Sequence, residues 1–348
     1  MTDEVIVRTW GKVGVISLNR PKAIHALTLP MVTAMTEALI AWRGDDAVQA
    51  VLIDHAEGRG FCAGGDIAFL RNSALNDGGV SGRKFFHDEY QLNHLIMTYG
   101  KPVVAFMDGI TMGGGVGISG PATYRVATEN TKLAMPETGI GLFPDVGGGW
   151  YLSRLKGRLG QYLALTGARL DGAECLWAGL ATHYLPHTAL ADAKARIAGD
   201  PGAIPTILRE LSAVPPEPKI AANAGEIADL FASDRYEDIL DALGADLSDF
   251  AKTTLAALNS KSPQTCKVAL RQLATGATLT DFAANMAMEY RIGSRVLTLP
   301  DFAEGVRAVI VDKDNAPQWN PATPQGVTDD LIDAIFAPLP AGEEWKPL

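Results

Sequence analysis

The chain has 348 residues, 47% of them hydrophobic and 20% charged, which suits a globular protein with a sizeable core of one large domain or two smaller ones. Its formal net charge of -10 gives little to gain from counterion release on nucleic acid, so nucleic-acid binding is not expected as its role. No apolar run reaches about 18 residues, so no membrane span is expected.

In chain order, Val5–Thr9 and Val13–Leu18 read as short β-branched strands joined across Gly11 as a hairpin. Residues 30–43 carry helical spacing, with Thr28 as a cap. Val48–Asp54 is a continuous apolar run of the kind found in buried parallel strands, and 102–107 and 124–127 read the same way. Segments 83–99 and 114–119 between them read as helices, and this alternation argues for an α/β core. The stretch 200–218 is interrupted by five prolines; beyond it 221–232, 236–243, 247–258, 266–275, 279–297 and 301–311 read as helices. Two regions are therefore expected: an α/β core over 1–200 and a mainly α-helical region over 201–348.

Cys62, Cys175 and Cys266 are odd in number and lack CxxC spacing, which argues against a disulfide framework and against zinc. None of the six histidines lies in a metal-ligand motif, so no metal is expected. The acidic start Met1-Thr2-Asp3-Glu4 lacks the pattern of a signal or transit peptide, and the expected location is the cytoplasm. Nucleophile-elbow, Walker A and first-strand GxGxxG sequences are absent.

Three glycine-rich segments stand out. Gly58–Ile67 follows a strand and precedes helical sequence; an ordinary tight turn and an amide-lined anion site both fit it. Gly109–Gly117 contains three successive glycines, each costing a helix about 1 kcal/mol relative to alanine. Close packing against another backbone and amides facing a ligand explain that cost equally well. Met135–Gly149 holds two carboxylates, Glu137 and Asp145, in otherwise uncharged sequence. Burial there would raise their pKa values and suit acid–base work, whereas a cap for Glu137 and an Asx turn for Asp145 are the structural alternatives.

In order and spacing these segments resemble the crotonase (enoyl-CoA hydratase/isomerase) superfamily. Asn19-Arg20-Pro21-Lys22-Ala23 resembles the family's segment near coenzyme A, with His25 where an asparagine is usual. The resemblance implies a ββα spiral core, an oxyanion hole from the amides of Gly65 and Gly114, and Ala63 near the adenine. In the hydratases one catalytic glutamate falls where this chain has Gly117, while the other matches Glu137. Asp145 is an added carboxylate, and the Glu137–Asp145 pair resembles the hydroxyisobutyryl-CoA hydrolase branch of the superfamily. Glu89 matches a substrate-pocket glutamate, and Met288–Arg291 and Asp301–Ala308 extend the likeness.

What the resemblance implies is therefore hydrolysis of a short 3-hydroxyacyl-CoA, above all 3-hydroxyisobutyryl-CoA in valine catabolism. Glu137 and Asp145 would be catalytic, and Ala63, Glu89, Gly114, Glu137 and Asp145 would bind substrate. Coenzyme A would arrive as part of the substrate, no cofactor would be needed, and a homotrimer or hexamer would fit the family. Hydratase or isomerase chemistry and non-catalytic acyl-CoA binding are the competing expectations.

Overall fold

A computed structural model describes residues 2–348. Strands β1 (Val5–Trp10) and β2 (Val13–Leu18) form the expected hairpin, Val5 opposite Leu18 and Trp10 opposite Val13, turning at Gly11 with φ of +57°. Thr28 caps the helix Leu29–Arg43 by accepting the Met31 amide, and that helix buries Met31, Met35, Leu39 and Trp42. Strand β3 (Ala50–His55) begins two residues later than its apolar run, because Val48 is tied into a turn by donating its amide to Asp45.

The remaining strands are β4 (Gly60–Cys62), β5 (Val103–Met107), β6 (Ile110–Met112), β7 (Tyr124–Ala127), β8 (Lys132–Ala134), β9 (Leu170–Asp171) and β10 (His183–Tyr184). They form two sheets. The larger runs β1-β2-β3-β5-β7-β10 and the smaller β4-β6-β8-β9. All pairings are parallel except β1 with β2 and β8 with β9. Three successive passes of the chain, from β3, β5 and β7, lay one strand in the large sheet, the next in the small sheet, and then enter helical structure. This is the ββα spiral core of the expected α/β class, with a helical C-terminal region after it.

The small sheet decides where the three glycine-rich segments meet. Cys62 pairs with Thr111 and Met112 with Ala134, so β4, β6 and β8 end side by side in parallel. Their exits are Ala63–Asp66, Gly113–Gly114 and Met135–Glu137. Three segments far apart in sequence are therefore delivered to one edge by main-chain register alone.

Residues 201–211 differ from their reading as proline-broken chain, whereas 212–218, which holds the other three prolines, carries no helix or strand. Pro201 and Pro205 fall in the first turns of helical segments, where the missing N–H is not needed. The helix Ile204–Leu211 buries Ile204, Ile207 and Leu208 against Val104, Phe106 and Val126 of the large sheet. Further on, 221–232 is split into a 3-10 turn (Lys219–Asn223) and the helix Ala224–Leu230. The segment 301–311 is helical only to Val306, after which Arg307–Val311 widens into a π-type turn. One apolar core links Val5 at one end of the chain to Trp345 at the other. Among the described residues no helix is long and apolar enough to cross a membrane, and no cluster of three or more His, Cys, Asp or Glu is placed to hold a metal.

Candidate active site

The first loop is built around a bridge between Leu27 and Gly65. Leu27 donates its amide to Gly64 O at 2.7 Å, and Asp66 returns its own to Leu27 O at 2.9 Å. Asp66 then caps the helix Ile67–Asn76 through the Phe69 amide and takes the Arg20 guanidinium on its other oxygen at 2.9 Å. Gly64 between them has φ of +119°, a conformation open chiefly to glycine. The pattern leaves the Gly65 N–H unused.

Gly114 is the first residue of the helix Gly114–Ser119, where an N–H has no acceptor in its own helix. Among the described residues neither Gly65 nor Gly114 donates its amide to any group. A Cβ on Gly114 would stand 3.2 Å from the Gly65 nitrogen, which puts the two free amides side by side. The triple glycine therefore divides between packing and the cavity. A Cβ on Gly115 would meet Cys62 O at 2.4 Å, so Gly115 is needed for close backbone packing, while Gly114 faces the cavity.

That cavity, about 670 Å³, is lined by Ala63, Gly65, Glu89, Gly114, Glu137 and Asp145, so every residue picked from the sequence for the site stands on its wall. Glu137 opens the 3-10 turn Glu137–Ile140 but neither caps it nor reaches the surface. It is only 5% exposed, and its Oε2 has no partner. Burial, then the charge of Asp145, holds its carboxyl well above the usual range, with Lys261 opposing. Asp145 turns its side chain to Tyr90, whose hydroxyl donates to Oδ2 at 2.8 Å, rather than to a downstream amide as in an Asx turn. Burial raises it to about 7 against the opposing Tyr90 bond. Glu89, on the helix Val80–Met97, has an unpartnered Oε1 and is likewise held well above the usual range, by burial and then by Asp145.

These raised values carry a stability consequence. A folded-state carboxyl that titrates near 7 instead of near 4 keeps its proton where the unfolded chain has lost it. Its contribution is complete below about pH 4 and is lost as pH rises through 7. Asp145→Asn should therefore raise the melting temperature at pH 8 and leave it nearly unchanged at pH 4, as thermal unfolding at the two pH values would reveal.

Three neighbours matter that the sequence reading left without a role. Tyr90 follows Glu89 directly, yet only the coordinates reveal its bond to Asp145. Lys261 lies on the cavity wall, reached from the helical region. His25, in the position of the family's asparagine, is a buried brace: its Nδ1 accepts the Arg20 amide at 2.9 Å and its Nε2 donates to Glu57 O at 2.8 Å. Gly117, where the hydratases carry a glutamate, has no free space around it. A Cβ there would lie 2.6 Å from the Val146 Cβ and 3.0 Å from Asn93 Nδ2.

Comparison with known proteins agrees with this fold. The model of the enoyl-CoA hydratase/isomerase family matches residues 13–336. The mitochondrial 3-hydroxyisobutyryl-CoA hydrolase of Danio rerio is 43% identical over 345 residues, covering 97% of this chain and 90% of that protein. A solved carnitinyl-CoA dehydratase from Mycobacterium thermoresistibile superposes with a TM-score of 0.94 at 40% identity, covering 99% of each chain. An enoyl-CoA hydratase from Rhodobacter sphaeroides 2.4.1 gives 0.93 at 36% identity, covering 99% of this chain and 100% of that one. With the family model spanning most of its length and the ββα spiral present, the chain belongs to the enoyl-CoA hydratase/isomerase family, in the branch it shares with proteins named 3-hydroxyisobutyryl-CoA hydrolase.

Proposed function

We propose that the chain is a thioesterase that hydrolyses short 3-hydroxyacyl-CoA esters, with 3-hydroxyisobutyryl-CoA as the preferred substrate and 3-hydroxyisobutyrate and CoA as products, a step of valine breakdown. The observation that carries this reading is the convergence of Glu137 and Asp145 on a cavity whose wall also holds two unused main-chain amides.

In this reading the thioester oxygen lies between the amides of Gly65 and Gly114. Negative charge develops there as the acyl carbon becomes tetrahedral, and a preorganised donor in such a site is worth about 3–4 kcal/mol. Ionised Glu137 supplies the electron pair, either directly to the acyl carbon or by taking a proton from a water that attacks it. Collapse of the tetrahedral species breaks the C–S bond, and the departing thiolate takes up a proton. In the direct route the acyl group is left on Glu137 as a mixed anhydride, which water then opens to release the acid and restore the carboxylate, whereas in the water route the acid is released at once. Asp145 carries protons near neutral pH and is oriented by Tyr90. Glu89, beside Gly114, faces the acyl group.

The similar solved structures are named for hydration and dehydration, which makes hydratase chemistry the rival. The crowding of Gly117 by Val146 and Asn93 speaks against a second acid entering from that side. A panel of 3-hydroxyisobutyryl-CoA, crotonyl-CoA and a 3-enoyl-CoA separates the two, because only hydrolysis releases free thiol. Thiol release from the first with crotonyl-CoA left intact is expected; hydration of crotonyl-CoA without thiol release would sink the thioesterase reading. In the same assay Asp145→Asn should lower kcat on the order of 100-fold, with KM changing far less. Equal turnover by the variant would leave Asp145 as a structural residue only.

A further inference from the structure

Asp145 sits on a loop that is held from outside the cavity. The residue after it, Val146, has φ of +50°, a region that β-branched side chains avoid, and Gly147 follows at +94°. Something must hold this path in place, and the contacts identify it. Glu289, on the helix Phe282–Val296, is 0% exposed and makes no salt bridge to any described residue. Its Oε2 accepts the Gly147 amide at 2.7 Å and its Oε1 the Gly149 amide at 2.9 Å. Oε1 also takes Asn285 Nδ2 at 2.9 Å and Gln272 Nε2 at 3.0 Å. The same Gln272 nitrogen reaches Pro144 O at 2.7 Å. The loop is thus gripped on both sides of Asp145, at Pro144 before it and at Gly147 and Gly149 after it.

The chemistry of the clamp is selective. Four N–H donors converge on one group, and a carboxylate accepts on both oxygens; burial raises Glu289 to about 7, and the bonds from Gly147, Gly149 and Asn285 oppose that rise in favour of the ionised form. A glutamine would turn an NH₂ toward one of those donors. Glu289 is absent from the cavity wall, so it has no direct route to substrate.

We propose that Glu289 is a positioning residue for the reaction: it holds Val146 in its left-handed turn and so fixes the Asp145 carboxyl against Tyr90 and the acyl group. The inference rests on the thioesterase reading above. Thiol-release kinetics on 3-hydroxyisobutyryl-CoA for the full chain, Glu289→Gln, Asp145→Asn and the double variant test it. Misplacing a reacting group by about 1 Å costs on the order of 100-fold, so Glu289→Gln should lower kcat by that order with KM little changed. The double variant should be no slower than Asp145→Asn alone, because a clamp has nothing to position once the acid is gone. Losses that multiply in the double variant, or a kcat loss accompanied by an equal rise in KM, would mark Glu289 as structural only. Wild-type kinetics in Glu289→Gln would likewise overturn the proposal, whereas a wild-type chain that releases no thiol would overturn the thioesterase reading itself. If circular dichroism finds Glu289→Gln unfolded, Gln272→Met takes its place. It removes the ties to Pro144 and to Glu289 Oε1 while keeping the carboxylate and its bonds to Gly147 and Gly149, and the same decision follows from whether its kcat loss disappears in the Asp145→Asn background.

Discussion

Glu137→Gln should lower kcat about a thousandfold, within the range that a positioned acid–base group supplies, while KM for the CoA ester stays near its wild-type value. The substitution keeps the volume of a side chain that is 5% exposed, and it breaks no bond at Oε2, which has no partner to lose. What it removes is the only route by which this position can become an anion. The pH dependence gives an independent check. The wild-type kcat/KM should rise with increasing pH as Glu137, held well above the usual carboxylate range by burial and then by the charge of Asp145, loses its proton. The charge of Asp145 pushes Glu137 upward, so Asp145→Asn should move that acidic limb of the residual activity to lower pH. Near-normal turnover by Glu137→Gln would remove this residue from the chemistry.

If the thioester oxygen lies against the amides of Gly65 and Gly114 as proposed, Gly114→Val should lower kcat by two to three orders of magnitude, on the order of 3–4 kcal/mol, because it fills that seat. The first carbon of the new side chain would stand 2.5 Å from Glu89 Oε1, 3.1 Å from Leu27 Cδ1 and 3.2 Å from the Gly65 nitrogen. Its backbone is not in the left-handed region, so the damage should fall on turnover and substrate affinity more than on folding. Gly115→Ala provides the contrast. Its Cβ would meet the Cys62 carbonyl oxygen at 2.4 Å, a main-chain atom that cannot swing aside. The larger drop in melting temperature is expected there, and a smaller one for Gly114→Val, whose shortest contact is with the end of a side chain. Thermal unfolding together with thiol-release kinetics distinguishes the two, and a Gly114→Val variant with wild-type turnover would move the oxyanion site elsewhere.

Five of the six strands of the large sheet were legible as runs of four to six residues rich in apolar or β-branched side chains, while β10, with two residues, was not. The small sheet was not, because β4, β6 and β8 have three residues each, too few to show a period. Its register is what unites the three glycine-rich segments, so those segments were readable one by one while their meeting was not. Helix ends slipped where a cap overrides the apolar pattern. The helix read from Leu279 starts at Phe282 because Asp281 accepts the Ala283 amide at 2.9 Å. Prolines 201 and 205 read as breaks and prove to be first-turn residues. Glu289 lies 140 residues from Gly149, whose amide it accepts, and no local pattern marks so distant a contact.

The packing of Val146 onto Gly117 bears on how this branch could have arisen. Because the aspartate-bearing loop occupies the volume that a side chain at 117 would need, the two arrangements exclude each other sterically. A lone Gly117→Glu exchange in this background would have nowhere to go. Ancestral passage between the two chemistries would then require both segments to change together, or a stepping-stone with glycine at 117 and a smaller neighbour at 146, so single-site drift should rarely blur the boundary between these relatives.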